Sequence, residues 1–137
     1  MHKSRLAGFI IDCKTDDLDQ ATRFWSQALG YSIKHSDNPE DQNYTLLDTG
    51  PDDIHIELQK VDHPSRVHLD IETDDIEAEV QRLEQLGARR VKQIRTWWVM
   101  QAPSGQRFCV VRPQRADFAE QANRWDSADT DNPKKET

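Results

Sequence analysis

Two short stretches of this 137-residue chain place ionisable side chains at every second position. In RVHLDIETDD, residues 66–75, His68, Asp70 and Glu72 alternate with Val67, Leu69 and Ile71. In IHIELQ, residues 54–59, His55, Glu57 and Gln59 alternate with Ile54, Ile56 and Leu58. A two-residue period is that of a strand with one buried face, so each stretch brings imidazole and carboxylate to one side of a sheet. Groups of this kind can ligate a divalent ion, act as a general acid/base pair, or hold a cationic or hydrogen-bond-rich molecule. The same alternation puts Ile10 and Asp12 opposite the apolar set Phe9, Ile11 and Cys13, and Arg107 and Cys109 opposite Phe108 and Val110. Of the adjacent Trp97 and Trp98, one must share the polar face and the other the apolar one.

Positioning these groups requires a sheet with a cover on one side. The strand candidates are LAGFIIDC, YSIKHS, YTLLDTG, IHIELQKV, SRVHLDIE, RRVKQIR, TWWVMQ and QRFCVVRP. The cover comes from an internal repeat: TDDLDQATRFWSQALGYSIK begins at Thr15 and TDDIEAEVQRLEQLGARRVK at Thr73. Leu18, Ala21, Trp25 and Ala28 in the first copy, and Ile76, Val80 and Leu83 in the second, form one apolar stripe per helix. Asp16 and Asp74 are the expected N-caps, backed by Asp19 and Glu77, and Gly30 and Gly87 the expected stops. The expected fold is α+β: two βαβββ modules, about residues 5–61 and 65–113, whose mixed sheet curves into a cup with the helices on its outer face. The domain is expected at residues 4–113. The tail, 114–137, is expected to hold one short helix in ADFAEQANRW and then a frayed SADTDNPKKET.

Composition restricts the partners. A formal charge of −7, from 18 basic and 25 acidic residues, repels phosphate backbones and argues against nucleic acid. The apolar run LAGFII is too short for a membrane span, and two cysteines, Cys13 and Cys109, are too few for a secreted disulfide framework. A cytoplasmic protein with no membrane partner is expected. Asp12, Glu57, Asp70 and Glu72 outnumber Lys14 and Arg107 on the polar face, which favours a cationic or donor-rich small molecule stacked on one tryptophan ring.

The doubled modules, with DDLDQATRFWSQALG in the first helix and APSGQRFCVV at the end of the second module, resemble the vicinal oxygen chelate superfamily, in particular its small glyoxalase-like and bleomycin-resistance-like proteins. The resemblance covers about residues 5 to 113. It implies a small-molecule site in the cup and a homodimer. In the family's enzymes it also implies a divalent metal held by one ligand from each of four strands, commonly a His and a Glu per module. Carried over, the second-module His falls on His68 and the first-module Glu on Glu57. The repeat that carries Thr73 onto Thr15 carries His68 onto Ile10, and Cys109 stands at the final Glu. Isoleucine cannot ligate, so no cofactor is expected, with a divalent metal as the alternative.

Three functions follow from this residue set. The first is a small-molecule-binding protein with an incomplete metal site, in which Ile10, Asp12, His55, Asp70, Trp97, Trp98, Arg107 and Cys109 contact the ligand. The second is a metal-dependent lyase, isomerase or dioxygenase with Glu57 and His68 as ligands. The third is a metal-free enzyme with His68 and Glu57 as its catalytic acid/base pair. The structural alternatives are a His68 that only bonds a neighbouring strand, a solvated Glu57 and a Cys109 that only packs. His63, in the turn DHPS, is the weaker histidine candidate.

Overall fold

The computed structural model describes residues 1–34, 42–51 and 53–126. It divides into two compact units, one formed by Gly8–His68 and one by Met1–Ala7 with Leu69–Thr137. The expected tail SADTDNPKKET lies outside the described residues.

Gly8–His68 is built on the C-terminal half of β1 (His2–Lys14), α1 (Leu18–Leu29), β2 (Ser32–Lys34), β3 (Tyr44–Asp48) and β4 (His55–Val61). Its strands lie in the order β2-β3-β4-β1, with β1 and β4 parallel and the other pairs antiparallel. The second unit repeats this plan with β5 (Arg66–Thr73), α2 (Ile76–Gln85), β6 (Arg89–Ile94), β7 (Trp97–Gln101) and β8 (Arg107–Val111). Here β5 and β8 are the parallel pair and the order is β5-β8-β7-β6. The architecture is therefore α+β, two βαβββ modules. No helix among the described residues is long and apolar enough to cross a membrane.

Each helix buries the stripe its spacing defines. Leu18, Ala21 and Trp25 of α1 pack on Ile11, Cys13, Ile33, Leu47, Ile56 and Leu58. Leu58 is fully buried, a contribution of about 2 kcal/mol from apolar area alone. Ile76, Val80 and Leu83 of α2 pack with Ile71, Trp98, Met100, Phe108 and Val110. Ala28, expected on the α1 stripe, is exposed.

The caps fall one residue later than expected. Asp17 accepts from the Gln20 amide at 3.1 Å, and Asp75 from the Ala78 amide at 3.0 Å. Adjacent aspartates offer the same capping group, and the start of each helix at Leu18 and Ile76 makes the second one the N-cap. Gly30, at φ 80°, ends α1 in the left-handed conformation that favours glycine, its N–H bonding Ser26 O at 2.9 Å.

Two expectations about β5 fail. Val67 and Leu69 were assigned beneath a helix, yet they are 59% and 42% exposed, and only Ile71 joins the α2 cluster. Glu72 was assigned to the open polar face, yet it is wholly buried. It accepts from Arg5 Nε at 2.6 Å, from the Arg115 amide at 3.0 Å and from the Gln114 amide. A carboxylate so held anchors the chain after β8 and, being fully buried, is not offered to a ligand.

That segment does more than the expected short helix. After α3 (Phe118–Gln121), residues Asn123–Trp125 form β9, antiparallel to the first residues of β1 with His2 opposite Trp125. Trp125 Nε1 donates to Ser4 Oγ at 2.8 Å, and the Arg82 guanidinium lies 3.8 Å over its ring. Buried Glu79 completes the network, accepting from His2 at 2.7 Å, Ser4 at 2.8 Å and Arg82 at 2.9 and 2.8 Å. Arg5 also pairs with Asp117 at 2.6 Å and stacks on Phe118.

Removal of the Trp125 ring takes away buried area, the Ser4 bond and the Arg82 stack together. Trp125→Ala is expected to cost about 3 kcal/mol in urea unfolding. The hydrogen bond from Arg5 also holds the Asp117 carboxyl below its ordinary value of 3.8. A depressed carboxyl contributes stability that is complete above the ordinary value and lost as pH falls through the lowered one. The difference in urea midpoint between wild type and Asp117→Asn should therefore be constant from pH 5 upward and shrink on acidification below about pH 4.

Candidate functional site

In Gly8–His68 the face opposite α1 is set by strand register. Ile10 of β1 lies opposite Glu57 of β4, and Asp12 opposite Gln59. On the other side of β4, Glu57 faces Leu46 and Gln59 faces Tyr44. Glu57 is thus half-buried between two aliphatic side chains, and Gln59 Nε2 donates to Tyr44 Oη at 3.3 Å. His55 lies opposite Gly8, where the strands approach so closely that a Cβ would stand 2.1 Å from His55 O. Glycine is required at that rung.

Asp12 organises the histidine. Its side chain is 1% exposed, and its Oδ2 lies 2.8 Å from His68 Nδ1. A carboxylate only accepts, so Nδ1 carries the proton of this bond. Arg66 Nε, at 3.8 Å, brings a positive charge beside the same oxygen, and His63 Nε2 lies 3.9 Å from it. His63 is itself oriented, its Nδ1 donating to Pro64 O at 2.9 Å while Arg66 Nη2 donates to Nε2 at 3.4 Å. Asp12 Oδ1 is buried with no hydrogen-bond partner among the described residues. Such an oxygen is an acceptor that a water or a ligand N–H or O–H satisfies. Burial, with the Asp12 charge beside it, pushes the neighbouring Cys13 thiol up and keeps it neutral.

The unit containing Leu69–Thr137 holds the remaining candidates. Asp70 and Cys109 are opposite one another on β5 and β8, their ligand atoms within 4.8 Å. Cys109 is in turn opposite Val99, and Arg107 opposite Gln101. Trp98 packs with the α2 cluster and carries Arg90 at 5.1 Å over its ring. Trp97, one residue earlier, therefore takes the polar side. Of the two tryptophans expected as ligand contacts, Trp98 is partly buried against the α2 cluster.

The residues sequence reasoning undervalued are His63 and Arg66. The turn HPSR places both beside Asp12, but the signal lies in the return of the chain to β1, which no local pattern encodes. The four-ligand metal pattern is tested directly by the side chains present. At Ile10 a buried isoleucine, with no donor atom, stands beside Glu57. The family's four-ligand metal set is not met.

A family model described as a glyoxalase-like domain matches residues 8–111. No curated protein matches the chain. Among solved structures, a hypothetical protein from Bacillus halodurans is similar at 14% identity, with 82% of this chain and 97% of that chain covered and a TM-score of 0.59. Methylmalonyl-CoA epimerase from Mycobacterium tuberculosis is similar at 19% identity, covering 80% and 87%, with a TM-score of 0.57. The Mn(II)-bound glyoxalase from Novosphingobium aromaticivorans is similar at 17% identity, covering 85% of this chain and 44% of that one, with a TM-score of 0.54.

The Asp12 hydrogen bond fixes the His68 tautomer, and ¹⁵N shifts of the imidazole report it. The wild-type protein should show Nδ1 protonated at neutral pH. Asp12→Ala should abolish that preference and let the two tautomers exchange, and an unchanged spectrum would exclude the orientation.

Proposed function

Because this chain belongs to the glyoxalase-like domain family of the vicinal oxygen chelate superfamily, we propose that it binds a small molecule on the sheet face bearing Ile10, Asp12, Glu57 and His68, without the four-ligand metal centre. The observation that carries this reading is the 2.8 Å bond between His68 Nδ1 and buried Asp12. It fixes the orientation of the imidazole before any ligand arrives, so binding costs little reorganisation. Glu57 adds an acceptor between Ile10 and Leu46, where aliphatic neighbours lower the local dielectric and strengthen a charged contact. The carboxylates of Asp12 and Glu57 make the face electronegative, so a cationic or donor-rich molecule fits it best. The solved structures at 19% identity or less support the fold alone, and no substrate is carried over from them.

The same dyad favours a second reading, in which His68 is the base of a metal-free reaction. A buried carboxylate behind Nδ1 stabilises the imidazolium that forms when Nε2 takes a proton, and Glu57 serves as the partner group. Ile10 gives the metal-dependent alternative no support.

The test begins with untagged protein, its metal content, and a thermal-shift screen of small amines and polyols. Hits are titrated calorimetrically and recovered for mass analysis. His68→Ala and Glu57→Gln are each expected to weaken binding by about tenfold or more, the loss of a hydrogen bond to a charged or directed group. Equal affinity in wild type and both variants would overturn the site. Stoichiometric metal lost in both variants would overturn the metal-free reading. A chemically altered ligand would move the conclusion to the acid/base enzyme.

A further inference from the structure

The unit formed by Met1–Ala7 and Leu69–Thr137 carries an open cavity of about 630 Å³ of its own. Its walls include Thr73 and Asp74 at the end of β5, Gln93, Arg95 and Thr96 at the β6–β7 hairpin, and Arg112 just after β8. Strands β5 and β8 are parallel neighbours, so both deliver their C-terminal ends to the same edge.

Two polar atoms on the β5 side are committed to the fold. Thr73 Oγ1 donates to Lys3 O at 2.8 Å, and Asp74 Oδ1 accepts from the Lys3 amide at 2.9 Å. The Arg112 guanidinium, in contrast, makes no hydrogen bond or ion pair with the described residues. Arg95 is conspicuous for its backbone. Ile94 pairs with Trp97, which leaves Arg95 and Thr96 as a two-residue hairpin turn, and Arg95 has φ 53°. No other described residue except glycine has a positive φ. Turns of this length favour glycine, asparagine or aspartate at such positions, and a long side chain there is held against a local preference. The turn thus carries a guanidinium at the cavity wall where folding alone favours a smaller residue.

We propose that this cavity is an anion-binding subsite, taking a phosphate or carboxylate group of a small molecule between Arg95 and Arg112. Guanidinium groups match the planar spacing of such oxygens and bind them in pairs. The Thr96 hydroxyl and the Gln93 amide supply neutral donors on the same wall. The local charge runs against the overall −7 of the chain, which gives the cavity selectivity that bulk electrostatics does not.

The probes are sodium pyrophosphate and sodium malonate, each titrated by calorimetry and thermal shift against sodium chloride at equal ionic strength. Wild type should bind at least one of the two anions with a saturable shift, and backbone amides of Arg95, Thr96 and Arg112 should move in the ¹H–¹⁵N spectrum. Arg112→Gln should weaken that binding by about tenfold or more. Arg95→Gly should do the same while melting at or above the wild-type temperature in chloride, because glycine relieves the turn. Arg89→Gln, which removes one positive charge elsewhere in the module, should keep the response. An anion response equal in all four proteins, or one reproduced by chloride, overturns the proposal. The choice between pyrophosphate and malonate decides which oxygen group the site prefers.

Discussion

Each module has one helix, and one helix covers one face of a four-stranded sheet. Everything else is sorted by that constraint. In Gly8–His68, α1 dehydrates Ile11, Cys13, Leu47, Ile56 and Leu58, and the strict alternation of strand side chains then leaves Asp12, Glu57 and Gln59 no other place than the opposite face. The parallel register of β1 and β4 aligns Ile10 with Glu57 and Asp12 with Gln59. A slip of one residue would bury the carboxylates and expose the core, so burial beneath α1 and the geometry of the polar face are one specification. Gly8 tightens it further, since only a residue without a Cβ lets β1 approach His55.

Buried charge separates anchoring residues from available ones. Glu72 and Glu79 are each fully buried, and both are surrounded by donors: Arg5 and two amides for the first, His2, Ser4 and Arg82 for the second. Satisfied in this way, they tie β1, α2 and the chain after β8 into one unit, and removal of any partner would strand a charge. Asp12 is equally buried but keeps one oxygen without a partner among the described residues. The difference lies in unsatisfied acceptor capacity, because all three carboxylates are hidden from solvent.

How far the sequence revealed this differs by feature. The repeat beginning at Thr15 and Thr73 and the two-residue period of IHIELQ specified both helices, the modules and the polar rows, because each depends on neighbours within about ten residues. The exposure of Val67 and Leu69 was not legible, since period two assigns a face but says nothing of how far a ten-residue helix reaches along it. The caps moved from Asp16 and Asp74 to Asp17 and Asp75 because adjacent aspartates offer the same chemistry and only backbone geometry chooses. Strand β9 has three residues, too few for a period, and its partner His2 is at the other end of the chain. Among the proposed site residues, alternation alone puts His68 and Glu57 on polar rows, whereas the bond from His68 to Asp12, across 56 positions, needs the folded sheet.

The long first strand has a consequence for how the protein is made. His2 to Ser4 belong with β9, while Gly8 to Lys14 belong with β4. On the ribosome, Gly8–His68 can pair its strands as soon as β4 has emerged. His2 to Ser4 must wait until Asn123 to Trp125 have been made. His2 to Ser4 therefore find their partner later than the rest of β1, and the rung from His2 to Trp125 closes only once β9 has been made.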